Sequence, residues 1–212
     1  MDTVVYIREC NCIGAEAGCN DDADGRTTSA LSVTLAPGTY NVIVDTKAPT
    51  SGTVAVDLYI TTAGLPGDRC GAPAPIAAAT TSLSGNTCAF ANDYAPPSTT
   101  GCNFTGTGAS PERVYYFVIP TARTVTFDGC VAGSSFDETA YLRRTCTDNT
   151  AAAMPACNDD GCGGSASCTA GLRSSISASS LPAGLYYFFS DGYTGTGSTC
   201  PCGDFSYTIT GL

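Results

Sequence analysis

The stretch LPAGLYYFFSDG, residues 181–192, reads as a turn followed by a strand. Pro182 and Gly184 supply the backbone chemistry of a tight antiparallel connection. The run from Leu185 to Phe189 is the apolar, aromatic type that fits a pleated sheet. Upstream, LAPGTYNVIVD at residues 35–45 has the same layout, with Pro37 and Gly38 before an apolar run that ends in Asp.

Extending both stretches outward exposes an internal repeat. DTVVYIREC (2–10) resembles DETAYLRRTC (137–146), and GCNDDADG (18–25) resembles ACNDDGCG (156–163). LSVTLAPGTYNVIVD (31–45) resembles ISASSLPAGLYYFFSD (176–191), and GTVAVDLYIT (52–61) resembles GDFSYTIT (203–210). Four blocks recur in one order. The layout predicted is a partial repeat over 1–62, a linker at 63–67 within the Gly- and Pro-punctuated TTAGLPGDRCGAPAP, and one complete unit over 68–212. The first copy matches only the second half of the later unit.

Each block reads as a strand. RVYYFVIP (113–120) is an apolar run, and RTVTFDG (123–129) alternates, with Arg123, Val125 and Phe127 on one face. PIAAATTSL (75–83) is the single weak helical candidate. Short strands with regular turn signals predict an all-β, antiparallel β-sandwich.

The series SSFDETAYLRRTC, CNDDG, LPAGLYYFFSDG and GDFSYTIT resembles the bacterial pre-peptidase C-terminal domain group. More closely, it resembles the Cys-rich versions in large secreted and surface proteins of myxobacteria-like organisms. CGAPAPI, TCAFANDY and ERVYYFVI are similar to the front half of that group. The resemblance covers 68–212 as a full unit and 2–62 as half of one. It implies a jelly-roll-like β-sandwich, an accessory to proteases or a repeated surface module, with no catalytic residues of its own.

Composition narrows the function. Hydrophobic residues make up 43 % of the 212, enough to pack a core, whereas charged residues are only 13 %. A net charge of −10 with 9 Lys plus Arg argues against nucleic acid and against insertion into or docking on an anionic membrane. Thirteen cysteines without a histidine point to disulfides in an oxidising compartment, extracellular or at the cell surface. MDTVVYIREC lacks the basic start and apolar run of a signal peptide, so the chain is expected to be a piece of a longer secreted precursor.

The absence of histidine removes the usual triads and zinc hydrolase sites, and no P-loop or dinucleotide fingerprint is present. The expectation is a protein that is not an enzyme. Its candidate site is the pair of Asp loops. Asn20, Asp21, Asp22 and Asp24 in the first copy, and Asn158, Asp159 and Asp160 in the second, are candidate calcium ligands, because calcium takes several oxygens at flexible geometry. The same residues turn tight loops without metal, since Asx side chains bond their own backbone. Asp45 and Asp191 recur at strand ends and are expected to join the same cluster.

The expected bridges are local. Cys146–Cys157 would clamp a strand to the Asp loop, and Cys19 would pair with Cys10 or Cys12. Cys162–Cys168, Cys70–Cys88 and Cys102–Cys130 complete the set. Cys200-Pro-Cys202 is too close-set for zinc. Among the aromatics of 186–193, half are expected to face the core. Tyr193 is the exposed candidate for stacking on a sugar. The sequon Asn103-Phe104-Thr105 marks a surface loop in a glycosylating host.

Together these features predict a non-catalytic extracellular structural or adhesion module, disulfide-stabilised and a candidate for calcium stabilisation. Two alternatives are a filament subunit assembling by strand complementation and a carbohydrate-binding accessory module of a secreted hydrolase. The expected partners are other chains of the same protein or surface glycans. No cofactor is expected other than the candidate calcium.

Overall fold

The computed structural model describes residues 1–9, 12–23, 27–36, 38–48, 52–58, 65–97, 102, 110–130, 135–162, 172–193 and 200–212. The chain forms two compact units, Met1–Val56 and Asp57–Leu212. The break falls ahead of the expected linker. Residues 52–58 join no strand ladder, so little holds that end to the first unit. No helix of the described residues is long and apolar enough to cross a membrane.

The first unit is a three-stranded sheet of β1 (Thr3–Glu9), β2 (Glu16–Asn20) and β3 (Tyr40–Thr46), in the order β2-β1-β3. The second unit holds β4 (Ala74–Pro75), β5 (Ser82–Asn86), β6 (Arg113–Ile119), β7 (Arg123–Asp128) and β8 (Glu138–Arg143). It continues with β9 (Ala156–Asn158), β10 (Ser175–Leu181), β11 (Gly184–Gly192) and β12 (Asp204–Thr210). These build a four-stranded sheet, β10-β7-β12-β5, and a five-stranded sheet, β4-β6-β11-β8-β9. Among the described residues only the short β4–β6 pairing is parallel. From β5 to β12 the chain changes sheet at every connection except β8 to β9, which is the strand order of a jelly roll. The expected all-β sandwich is therefore present.

The core lies between the two sheets. Alternating residues of β7, β10 and β12 point inward, among them Val125, Phe127, Ile176, Ala178, Phe205, Tyr207 and Ile209. They meet Phe117, Leu142, Tyr186 and Phe188 of the five-stranded sheet. Phe127 stacks on Phe188 at 4.1 Å, and Tyr207 meets Phe188 edge-on at 4.9 Å, geometries that aromatic quadrupoles favour. The buried Tyr207 hydroxyl donates to the Glu138 carboxylate, so the polar end of the ring is satisfied.

The five-stranded sheet is covered on its other face too. Val114, Tyr141, Tyr187 and Phe189 form a second cluster with Cys70 and Cys146, and Tyr94 and Met154 pack onto it. All four aromatics from Tyr186 to Phe189 are consequently buried, where simple alternation expects half to face outward. A strand buried on both faces reads as a continuous apolar run, which β11 does.

Disulfides pin this covering layer, and they correct the expected pairings. Cys70 bonds Cys146, Cys88 bonds Cys202, Cys102 bonds Cys157 and Cys130 bonds Cys162. Cys146–Cys157, Cys70–Cys88, Cys102–Cys130 and Cys162–Cys168 do not form. Cys200 is disulfide-bonded as well. Cys12 and Cys19 are free and exposed, so the expected Cys19 bridge to Cys10 or Cys12 is absent. The reason is topological: the jelly roll wraps residues 68–130 around residues 135–212, and cysteines 32 to 114 residues apart become neighbours. Cys10, Cys168, Asp24 and the sequon lie outside the described residues.

Two further expectations change. Residues 75–83 contain no helix; Ala79 sits at φ 64° in a turn between β4 and β5. The segments LSVTLA (31–36) of the first unit and GTVAVDL (52–58), which runs across the boundary between the units, enter no ladder. Their counterparts β10 and β12 pair with β5 and β7 in the second unit, and the first unit has no described counterpart of either. As a result Val54, Val56 and Leu58 are 37 %, 55 % and 62 % exposed, where their counterparts Phe205, Tyr207 and Ile209 are buried.

Because Cys70–Cys146 closes a loop of 76 residues and pins the outer layer, its removal should be costly. The double variant Cys70→Ala, Cys146→Ala should lose about 2–5 kcal/mol in urea unfolding. A loss within error of zero would show that the layer holds without its staple.

Candidate metal centre

The repeated Asp loop begins with a hydrogen-bonded corner. β9 pairs with β8 so that Asn158 faces Ala140 and Cys157 faces Tyr141. Past the strand, Asn158 Oδ1 accepts the backbone N–H groups of Gly161 (2.8 Å) and Ser175 (3.1 Å). The Ser174 hydroxyl is shared between the carbonyl oxygens of Glu138 and Asp159. These bonds turn the corner as Asx chemistry predicts. They also bring the loop against the residue that precedes β8, Asp137.

Carboxylate oxygens of Asp137, Asp159 and Asp160 all lie within 4.8 Å of one another. Thr139 donates to Asp159 Oδ1 at 2.8 Å. Asp137 is only 4 % exposed, and its Oδ1 has no hydrogen-bond partner. Burial, and then the charges of Asp160 and Asp159, push the Asp137 carboxyl up to about 7. Burial raises Asp159 despite the Thr139 hydrogen bond, and it raises Asp160 too. Such a group is costly as it stands: carboxylates this close repel, and a buried lone pair without a donor pays its full desolvation. A divalent cation that takes several oxygen ligands would meet both problems.

The first unit builds the same corner from the same positions. Val5 faces Asn20 and Tyr6 faces Cys19, as Ala140 faces Asn158 and Tyr141 faces Cys157. Asn20 Oδ1 accepts the N–H of Ala30 at 3.0 Å. Ser29 is shared between the carbonyls of Thr3 and Asp21. Tyr40 donates to Ala36 O (3.0 Å) as Tyr186 donates to Pro182 O (2.9 Å). The repeat read from four short blocks is thus a repeat of register and of individual hydrogen bonds. Here Asp2, Asp21 and Asp22 cluster within the same limit.

Of the expected ligands, Asp159 and Asp160, and likewise Asp21 and Asp22, come together. Asn20 and Asn158 serve the backbone of the corner with the Oδ1 that a metal would need. The sequence reading overlooked Asp2 and Asp137, although both open the repeated block D-x-x-x-Y-x-R. Asp45 and Asp191 are outside the clusters. Asp45 is exposed and its Oδ1 accepts the N–H of Thr46 at 2.7 Å. Asp191 is buried on the outer face of the sheet, where Tyr141 donates to Oδ2 at 3.1 Å and Gly192 N–H to Oδ1 at 2.7 Å. Tyr193, expected to be exposed, is half-buried, and its N–H donates to Asp137 O at 2.8 Å. Asp128, Cys130 and Cys162 also stand close, but the Cys130–Cys162 bridge removes both thiolates.

No family model matches the chain, and no curated protein does.

A second acidic group lies under the covering layer and is spoken for structurally. Glu112 Oε1 accepts the N–H groups of Asp93 (2.8 Å) and Tyr94 (3.0 Å), while Oε2 has no partner. Burial pushes Glu112 up to about 8 against those hydrogen bonds. Asp191 is raised well above its usual range by burial and then by the Glu112 charge. Beside them the buried Arg143 guanidinium donates to Cys146 O (3.0 Å), Ala95 O (2.9 Å) and Asn149 Oδ1 (2.9 Å), and lies 4.8 Å from the Phe189 ring.

The Glu112 shift has a stability consequence. Its folded pKa exceeds its unfolded value, so between 4.5 and about 8 the folded state holds more protons than the unfolded state. Stability therefore falls as pH rises through that window and levels off above it. Glu112→Gln keeps an acceptor for Asp93 and Tyr94 and should flatten the part of the fall due to this group. A variant with an unchanged stability–pH curve would contradict this assignment.

Proposed function

We propose that the chain is a non-catalytic extracellular structural or adhesion module, stabilised by disulfides and by calcium held at Asp137, Asp159 and Asp160. The observation that carries the cation is the orphaned, buried Asp137 carboxylate facing two further carboxylates. Support for the compartment comes from four long-range bridges, which persist in oxidising surroundings. The reading also agrees with the resemblance to pre-peptidase C-terminal domains, which are accessory or surface modules.

With an affinity of about 0.1–1 mM, about 10 mM calcium should raise Tm by about 3–10 °C over a chelated sample. Asp137→Asn should remove that response and raise Tm in chelator, because it removes a buried, repelled charge. An identical Tm with calcium and with chelator would sink the calcium reading.

A second reading concerns the first unit, which contains counterparts of β8, β9 and β11 and, among the described residues, none of β5, β6 or β7. Val42 is 40 % exposed where its counterpart Phe188 is buried. Cys19 is a free thiol where its counterpart Cys157 is bonded to Cys102 of the front half. Val54 and Val56 of the same unit are exposed as well. A strand segment patterned like residues 113–128 of another chain would pair with the β3 edge and cover these groups, as in strand complementation. Concentration-dependent multimers in size-exclusion chromatography are expected, and a clean monomer at all concentrations rejects this reading.

A further inference from the structure

The two Asp clusters are built alike but differ in their surroundings. In the first unit Lys47 reaches the cluster, its Nζ standing 2.6 Å from Asp21 Oδ2. Its ammonium is favoured by Asp21 first, and by Asp22 and Asp2 as well. The backbone places it there: Lys47 N–H donates to Asp2 O at 3.1 Å.

In the second unit the same backbone position belongs to Tyr193, whose N–H donates to Asp137 O at 2.8 Å. Register fixes the equivalence. Thr3 faces Thr46 across β1 and β3, and Glu138 faces Gly192 across β8 and β11, so the next residue is Lys47 in one unit and Tyr193 in the other. A phenol carries no positive charge at neutral pH. Asp137, only 4 % exposed, keeps an Oδ1 with no donor.

We propose that the repeat neutralises one acidic corner in two ways: Lys47 serves as a built-in cation in the first unit, and a divalent cation from solution takes that role in the second. The proposal rests on the calcium reading above and adds to it a stoichiometry and a determinant. One ion binds per chain, and the residue after β3 or β11, the strand that follows the Pro/Gly turn, decides which corner takes it. An ammonium on a flexible stem is a compact point charge, and it can reach the carboxylate group from the strand end as a metal would. Asp2 Oδ1 and Asp21 Oδ1 still accept no hydrogen bond, so Lys47 answers the charge and leaves lone pairs available. Removing its charge should therefore open a second ion site.

The test is isothermal titration of the chelator-stripped, disulfide-intact chain with calcium chloride. Wild type should bind one ion. Tyr193→Lys should bind none, and its Tm in chelator should rise towards that of the calcium-loaded wild type. Lys47→Met, which keeps length without charge, should bind two. An unchanged single ion on a folded Tyr193→Lys, or two ions on wild type, would overturn the proposal. Should Tyr193→Lys fail to fold, Lys47→Met decides: two ions uphold the proposal and one ion overturns it. No ion on wild type overturns the calcium reading itself, an outcome distinct from failure of the replacement alone.

Discussion

Burial of one sheet on both faces is the constraint on which the second unit depends. β11 turns Phe188 into the sandwich core and Phe189 into the outer cluster. Phe188 is held by Phe127 and Tyr207, and Phe189 by Tyr141, stacked at 4.6 Å. A sheet in that position needs two covers. The four-stranded sheet supplies one through ordinary alternation. The other cover includes irregular segments that cannot form ladders, so it is fixed by disulfides, by the Arg143 fork and by Glu112 gripping the backbone of Asp93 and Tyr94. Buried polar groups are costly unless satisfied, and here they replace the hydrogen bonds a regular layer would make.

The first unit holds, among its described residues, no counterpart of that second cover or of the facing sheet. Its corner bonds, strand register and Tyr40 anchor survive, because they are local to the repeated blocks. Its core does not. Val42 is exposed, and Ile7 is the only described apolar side chain of the unit that is buried. Corner geometry is thus separable from core packing in this chain, and the acidic cluster travels with the corner.

Much of this was legible in sequence, and the limits have physical causes. The strand blocks and their order followed from apolar runs and Pro/Gly turns, signals that act over a few residues. The jelly-roll pairing of β5 with β12 and β7 with β10 has no local signature. The bridges were misplaced for that reason: Cys146 finds Cys70 and Cys157 finds Cys102 only after the front half wraps over the back half. Segments 31–36 and 52–58 carry strand patterns yet stay outside any ladder, because propensity without a partner strand does not make a sheet. At the site, the loop aspartates were visible from their Asn-Asp-Asp run. Asp2 and Asp137 were overlooked because a lone Asp before a strand looks like a boundary residue. Their common place in the two blocks was the available clue.

The central claim is that residues 68–212 fold as one jelly roll whose front half is stapled over its back half. A non-reducing peptide map with prior alkylation of free thiols tests it most directly. The account predicts Cys70–Cys146, Cys88–Cys202, Cys102–Cys157 and Cys130–Cys162, with Cys19 alkylated. A local Cys146–Cys157 bridge, with Cys70 and Cys102 paired elsewhere, would contradict it.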